Sequence, residues 1–145
     1  AGDDTIYGNG GDDTVDAGSG LDTVFGEDGA DSIVGGGAAE VEADSLVGGL
    51  DSDTVFVGGG NDVIDGGDAA DSLLGGADNA SILGGTGAFG DTIFGGLGGD
   101  TVDAGAGAVS VVGDDGAANA GARDSLLGGA HNDTVYGNGG ADPVD

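Results

Sequence analysis

The sequence predicts an all-β fold wound from a short tandem repeat, and two observations carry that reading. An aliphatic residue recurs every nine positions, as at Val15, Val24 and Ile33. The gaps are filled with glycine and carboxylate, as in GNGGDDTVDAGSGLDTVFGEDGADSIV (residues 8–34). Gly and Asp form strands and helices poorly and turns well. Each period therefore reads as a short strand and a tight turn, and such self-similarity marks a solenoid.

With Gly8 as position 1, the unit is G-G-x-G-x-D-(T/S)-U-x, where U is aliphatic. Residues 1–7 are positions 3–9 of one copy. Further copies lie at 8–16, 17–25, 26–34, 35–47, 48–56, 57–65, 66–74, 75–83, 84–94, 95–103, 104–112, 113–127, 128–136 and 137–145. Three are longer (35–47, 84–94 and 113–127), and in each the extra residues precede the Asp. The turn is enlarged there and the strand is untouched.

Position 8 is Val, Ile or Leu in every copy from Ile6 to Val144, all of them expected in the core. Position 6 is Asp except at Ala80 and Val109; position 7 is Thr or Ser except at Val63 and Pro143. Segments such as T-V-D and S-L-L suit strands with position 8 facing inward and positions 7 and 9 outward. The six glycine-rich residues suit turns that need positive φ. Asp51, Ala69, Asp78 and His131 replace Gly at position 4 and put that conformation in question. Pro143 removes a ladder donor and reads as a possible end of the stack.

Composition narrows the function. The chain has 145 residues, 28 acidic side chains and one Arg, for a net charge of −27. That excludes nucleic acid and anionic lipid as partners, since both need basic patches. No Cys is present, so disulfides and thiolate metal sites are unavailable. No apolar run is long enough to span a membrane, and no signal peptide is visible. The chain lacks Met, so it reads as a mature or excised segment of a longer protein. With no H-E-x-x-H or G-x-S-x-G motif and a single His, an enzyme is not expected.

Copies such as Gly8–Asp16 and Gly95–Asp103 closely resemble the hemolysin-type calcium-binding nonapeptide, the RTX repeat of proteins secreted by Gram-negative bacteria. The resemblance covers essentially the whole chain, residues 1–145, read as one domain. It implies a parallel β-roll, a right-handed β-helix-like solenoid with two nonapeptides per coil and calcium held between stacked turns. Carried over to this sequence, turns of copies n and n+2 share one ion. On one edge the pairs are Asp4–Asp22, Asp22–Asp44, Asp44–Asp62, Asp100–Asp124 and Asp124–Asp142. On the other they are Asp13–Asp31, Asp31–Asp53, Asp53–Asp71 and Asp71–Asp91. Ala80 and Val109 each remove a ligand, so the second edge should lose its ladder after about residue 94.

Charge supports a metal requirement independently. Stacked turns bring the position-6 carboxylates into files, and calcium takes six to eight oxygens from carboxylates and carbonyls. About nine such ions would bring −27 to about −9, ordinary for a soluble surface. Glu40 and Glu42 in the first insertion are candidate extra ligands, with a solvated acidic loop as the plain alternative. Arg123 could stand in for an ion by pairing with carboxylates. His131 reads as a solvated turn residue.

Position 9 of alternate copies reads Asp16, Val34, Phe56, Leu74, Phe94, Val112, Tyr136, six successive apolar residues on an outward face. A contiguous apolar ribbon usually marks an interface, whereas scattered apolar residues mark nothing; a position 9 that is loosely apolar throughout the repeat family is the plain alternative. Residues 130–145 also repeat much of 1–16, as expected of tandem copies. The sequence thus points to a calcium-binding structural segment of a secreted cell-surface fibre or surface layer, self-associating outside the cell after export by a type I-like route. The alternative is a calcium-dependent folding and secretion module of a larger toxin or hydrolase.

Overall fold

A computed structural model describes residues 1–114 and 122–145. The first strands are β1 (Thr5–Gly10), β2 (Thr14–Asp16), β3 (Thr23–Asp28), β4 (Ser32–Val34), β5 (Ser45–Leu50), β6 (Thr54–Phe56) and β7 (Val63–Gly67). There follow β8 (Ser72–Leu74), β9 (Ser81–Gly85), β10 (Thr92–Gly96), β11 (Thr101–Asp103), β12 (Ser110–Asp114), β13 (Ser125–Leu127) and β14 (Thr134–Tyr136). Odd-numbered strands form one seven-stranded sheet and even-numbered strands another. All pairings within them are parallel, as Ile6 on Val24 and Val15 on Ile33 illustrate. The chain changes sheet after every strand, which makes it a parallel β-solenoid with two repeats per coil.

Register follows the repeat without slip. Val24 pairs with Leu46 and Leu46 with Ile64 in the odd sheet; Ile33 pairs with Val55 and Val55 with Leu73 in the even sheet. A slip of one residue would turn the aliphatics to water, so burial itself fixes the pairing. The first two insertions do not disturb it, since Leu46 and Ile93 stand in line with their neighbours. The interior of the third, residues 115–121, lies outside the described residues.

Position-8 side chains from Val15 to Leu126 are buried between the sheets as a thin core. Burial fails at the ends. Ile6 and Val135 are only partly buried and Val144 is 50% exposed, because a terminal coil is covered on one side only. Ala17, Val57 and Ala104 at position 1 and Ala80 and Val109 at position 6 join the core.

After the five- and six-residue strands the turns are mostly shorter than the six residues the repeat suggests, whereas after three-residue strands such as β2 and β6 they keep that length. Strand β3 runs on through Gly26 to Asp28, and Glu27 and Asp28 pair with Gly49 and Leu50. Position 1 faces the core as position 8 does, since residues two apart on a strand share a face. At position 4 the left-handed backbone persists without glycine: φ is 68° at Asp51, 85° at Ala69, 69° at Asp78 and 89° at His131. The stacked turns impose the conformation and the residue bears the strain.

Position-7 amides donate to the position-6 carbonyl of the adjacent coil, as Thr23 does to Asp4 and Ser125 to Asp100. Pro143 has no such donor. Pairing nevertheless continues past it, with the Asp145 amide donating to the Leu126 carbonyl at 3.0 Å.

Candidate metal centre

The turns stack into two files along the solenoid, one leading into each sheet. Position 6 lies two residues before position 8, so its side chain also faces inward. In the file leading to the odd sheet, the Asp4 amide donates to Asp22 Oδ1 at 2.8 Å, Asp22 to Asp44 at 2.9 Å and Asp44 to Asp62 at 2.8 Å. Ala80 then interrupts the carboxylates. They resume with the Asp100 amide on Asp124 at 2.9 Å and Asp124 on Asp142 at 3.0 Å.

In the other file Asp13 donates to Asp31, Asp31 to Asp53 and Asp53 to Asp71, each at 2.8 Å, and Asp71 to Asp91 at 2.9 Å. That file ends at Val109, whose amide donates to Asp133 Oδ1 at 3.1 Å. Stacking of n on n+2 therefore brings together every expected Asp pair, by a contact the sequence did not reveal. From Asp22 and Asp31 onward, one oxygen of each of these carboxylates is committed to an amide of the preceding coil.

The second oxygen has no such role. Oδ2 of Asp13, Asp22, Asp31, Asp44, Asp53, Asp62, Asp71, Asp100 and Asp124 is buried without a hydrogen-bond partner. A buried carboxylate oxygen left unpaired is costly. The cost appears as raised pKa values. Burial pushes Asp53, Asp62 and Asp71 up to about 6 and Asp100 to about 7. Amide hydrogen bonds oppose the rise, and neighbouring carboxylates add to it. Asp44, Asp91 and Asp124 are raised for the same leading reason.

Glycine at position 1 completes the geometry. A Cβ on Gly8 would lie 2.6 Å from the Gly26 carbonyl oxygen and 2.9 Å from Asp13 Oδ2. Gly48 faces Asp53 Oδ2 and the Gly66 carbonyl in the same way, and Gly66 faces Asp71 Oδ2 and the Gly84 carbonyl. The missing side chain thus leaves a cradle lined by one orphan carboxylate oxygen and one carbonyl oxygen of the next coil. Such an all-oxygen donor set suits a hard cation such as calcium. At the equivalent position the copies of Asp22 and Asp62 carry Ala17 and Val57, both buried, so carbon replaces the open cradle there.

A family model describing the RTX calcium-binding nonapeptide repeat matches residues 1–24, 17–39, 47–82, 85–117 and 120–142. The chain belongs to the RTX repeat family. No curated protein and no solved structure matches it. In an RTX repeat, bound calcium supplies the positive charge that this composition lacks. The chain's own residues supply the turn, the amide that orients each carboxylate and the inward-facing oxygen.

The remaining candidates divide. Asp4 is exposed at the first coil, 3.9 Å from the terminal amine of Ala1. Asp142 is half-buried and bonded to Asp124. Glu40 folds back along the first file, where its Oε1 accepts from the Gly20 amide at 2.8 Å. Glu42 and His131 are exposed. Arg123 is exposed and forms no ion pair among the described residues. Sequence reasoning missed Asp114, which is buried and lies with Asp124 and Asp142. Its signal was a carboxylate at position 2, where the unit has glycine.

Proposed function

We propose that the chain is a calcium-hardened structural segment of a secreted cell-surface fibre or surface layer, which folds on calcium and packs laterally. Asp4, Asp13, Asp22, Asp31, Asp44, Asp53, Asp62, Asp71, Asp91, Asp100, Asp124 and Asp142 would supply the carboxylates for about nine ions. The turns with glycine at position 1, such as those of Asp13, Asp31, Asp53, Asp71 and Asp100, keep the open cradle. Residues 1–145 would act as one domain within a longer repetitive secreted protein.

The observation that carries the structural role is the outer face of the even sheet. Val34, Phe56, Leu74, Phe94, Val112 and Tyr136 stand in unbroken register across neighbouring strands. Leu74, Phe94 and Tyr136 are 39%, 42% and 56% exposed. The odd sheet has no such ribbon: Asp65 and Asp103 interrupt it, and its surface forms a groove of about 630 Å³ lined also by Phe25, Val47 and Leu83. An uncharged strip on a chain of −27 suits the same strip on a second copy. Two strips packed together exclude water along the rod, at about 25 cal/mol per Å² of apolar surface. The alternative, a folding and secretion module of a larger toxin or hydrolase, shares the calcium dependence and needs no lateral contact.

Replacing Phe56 and Phe94 together with Ser tests the choice. The variant should fold with calcium as the parent does, while calcium-dependent assembly read by light scattering falls. Assembly equal to the parent's would leave the secretion-module reading in place.

A further inference from the structure

Two turns of the file leading to the odd sheet carry insertions, and both bring an extra carboxylate to the same place. In uninterrupted turns of this file the second residue is left-handed, with φ 100° at Gly18, 101° at Gly58, 88° at Gly76, 110° at Gly96 and 64° at Asn138. Gly36 and Asp114, the second residues of the insertion-bearing turns, do not adopt positive φ. At Gly36 the place of a Cβ is taken by the Glu40 carboxylate, whose Oε2 is buried without a partner. At the other turn Asp114 supplies a carboxylate itself.

The second of these is the more fully built. Carboxylate oxygens of Asp114, Asp124 and Asp142 lie within 4.8 Å of one another. Asp124 is fully buried; its Oδ1 accepts from the Asp100 amide, and its Oδ2 has no partner. That Oδ2 faces the space left by the missing side chain of Gly113. Arg123, the chain's only Arg or Lys, makes no ion pair among the described residues. Three carboxylates this close in a poorly solvated place repel strongly unless a cation sits among them.

We infer that Asp114, Asp124 and Asp142 form a three-carboxylate site for a hard cation, the tightest on the chain. The inference rests on the calcium reading above and adds a ligand at position 2, outside the repeat's own Asp. Ligand charge count is one of the quantities that set calcium affinity, so a third carboxylate distinguishes this turn from those with two.

Calorimetric calcium titration of the whole chain tests it. Asp114→Asn should weaken the tightest step by roughly tenfold or more, leaving the other steps and the β signal at saturating calcium as in the parent. Asp16→Asn removes an exposed charge elsewhere and should leave that step unchanged. Equal titrations of Asp114→Asn and the parent, or equal weakening by both variants, would overturn the site. Should Asp114→Asn fail to fold, Asp114→Glu decides: a restored tight step supports the site and its absence overturns it. A parent that binds no calcium loses every step rather than one, and overturns the calcium reading itself.

Discussion

The Asp31 amide donates to Asp53 Oδ1 at 2.8 Å while Asp31 Oδ1 accepts from the Asp13 amide, also at 2.8 Å. Asp31 is thereby tied to the coils on both sides, and its Oδ2 remains buried without a partner. One carboxylate thus has two separable tasks, holding register and offering an oxygen to a cation.

Two substitutions separate them. Asp31→Asn keeps an oxygen acceptor for the Asp13 amide and removes the charge, so it should raise the calcium midpoint with the folded register kept. Asp31→Ala removes both and should cost about 1.5–3 kcal/mol more, the worth of a hydrogen bond to a charged group. Asp133→Ala, half-buried beside Val109 at the interrupted end of the file, should shift the midpoint far less. Equal midpoints for the Asp31 and Asp133 variants, from calcium titrations followed by circular dichroism, would contradict the stacked-file account.

The cradle at position 1 makes a second prediction. A Cβ on Gly26 would collide with Asp31 Oδ2 and the Gly48 carbonyl oxygen, whereas one on Gly37 meets nothing within 4 Å. Gly26→Ala should cost about 1–3 kcal/mol as overpacking and raise the calcium midpoint. Gly37→Ala should match the parent. Indistinguishable variants in denaturant unfolding with calcium present would rule out a tight, oxygen-lined cradle.

Acid should partly replace calcium. Folding raises Asp53, Asp62 and Asp71 from 3.8 to about 6 and Asp100 to about 7, chiefly by burial. The folded chain therefore holds more protons than the unfolded chain between those limits, and its stability falls as pH rises through the window. In a calcium chelator the β signal should be larger at about pH 5 than at about pH 7.5. With calcium present the midpoint should be higher at the lower pH, because protons compete for the same oxygens. A chelated chain with equal signal at both pH values would show that these carboxylates do not limit folding.

The coil-on-coil arrangement was legible because its signal is a period. Val15, Val24 and Ile33 give the strands, and the offset from Asp31 to Asp53 follows once copies n and n+2 are stacked. How the two oxygens of Asp31 divide their roles was not legible, since spacing places a side chain and does not assign its atoms. Nor was the left-handed backbone of Ala69, where neighbouring coils overrule local preference. Ala17 and Val57 could have been read as filled cradles, but only after position 1 was known to face inward. Asp114 was hidden because it stands at position 2, where the repeat unit has glycine and assigns no role to a carboxylate.

If calcium completes the solenoid, its binding free energy serves as folding free energy. Circular dichroism during a calcium titration of the whole chain reads that coupling. The β signal should be small in excess EGTA and rise cooperatively at about 10⁻⁴–10⁻³ M calcium. Magnesium should substitute poorly, since it demands near-octahedral geometry and loses water reluctantly. Full β signal in excess EGTA at neutral pH would contradict that coupling.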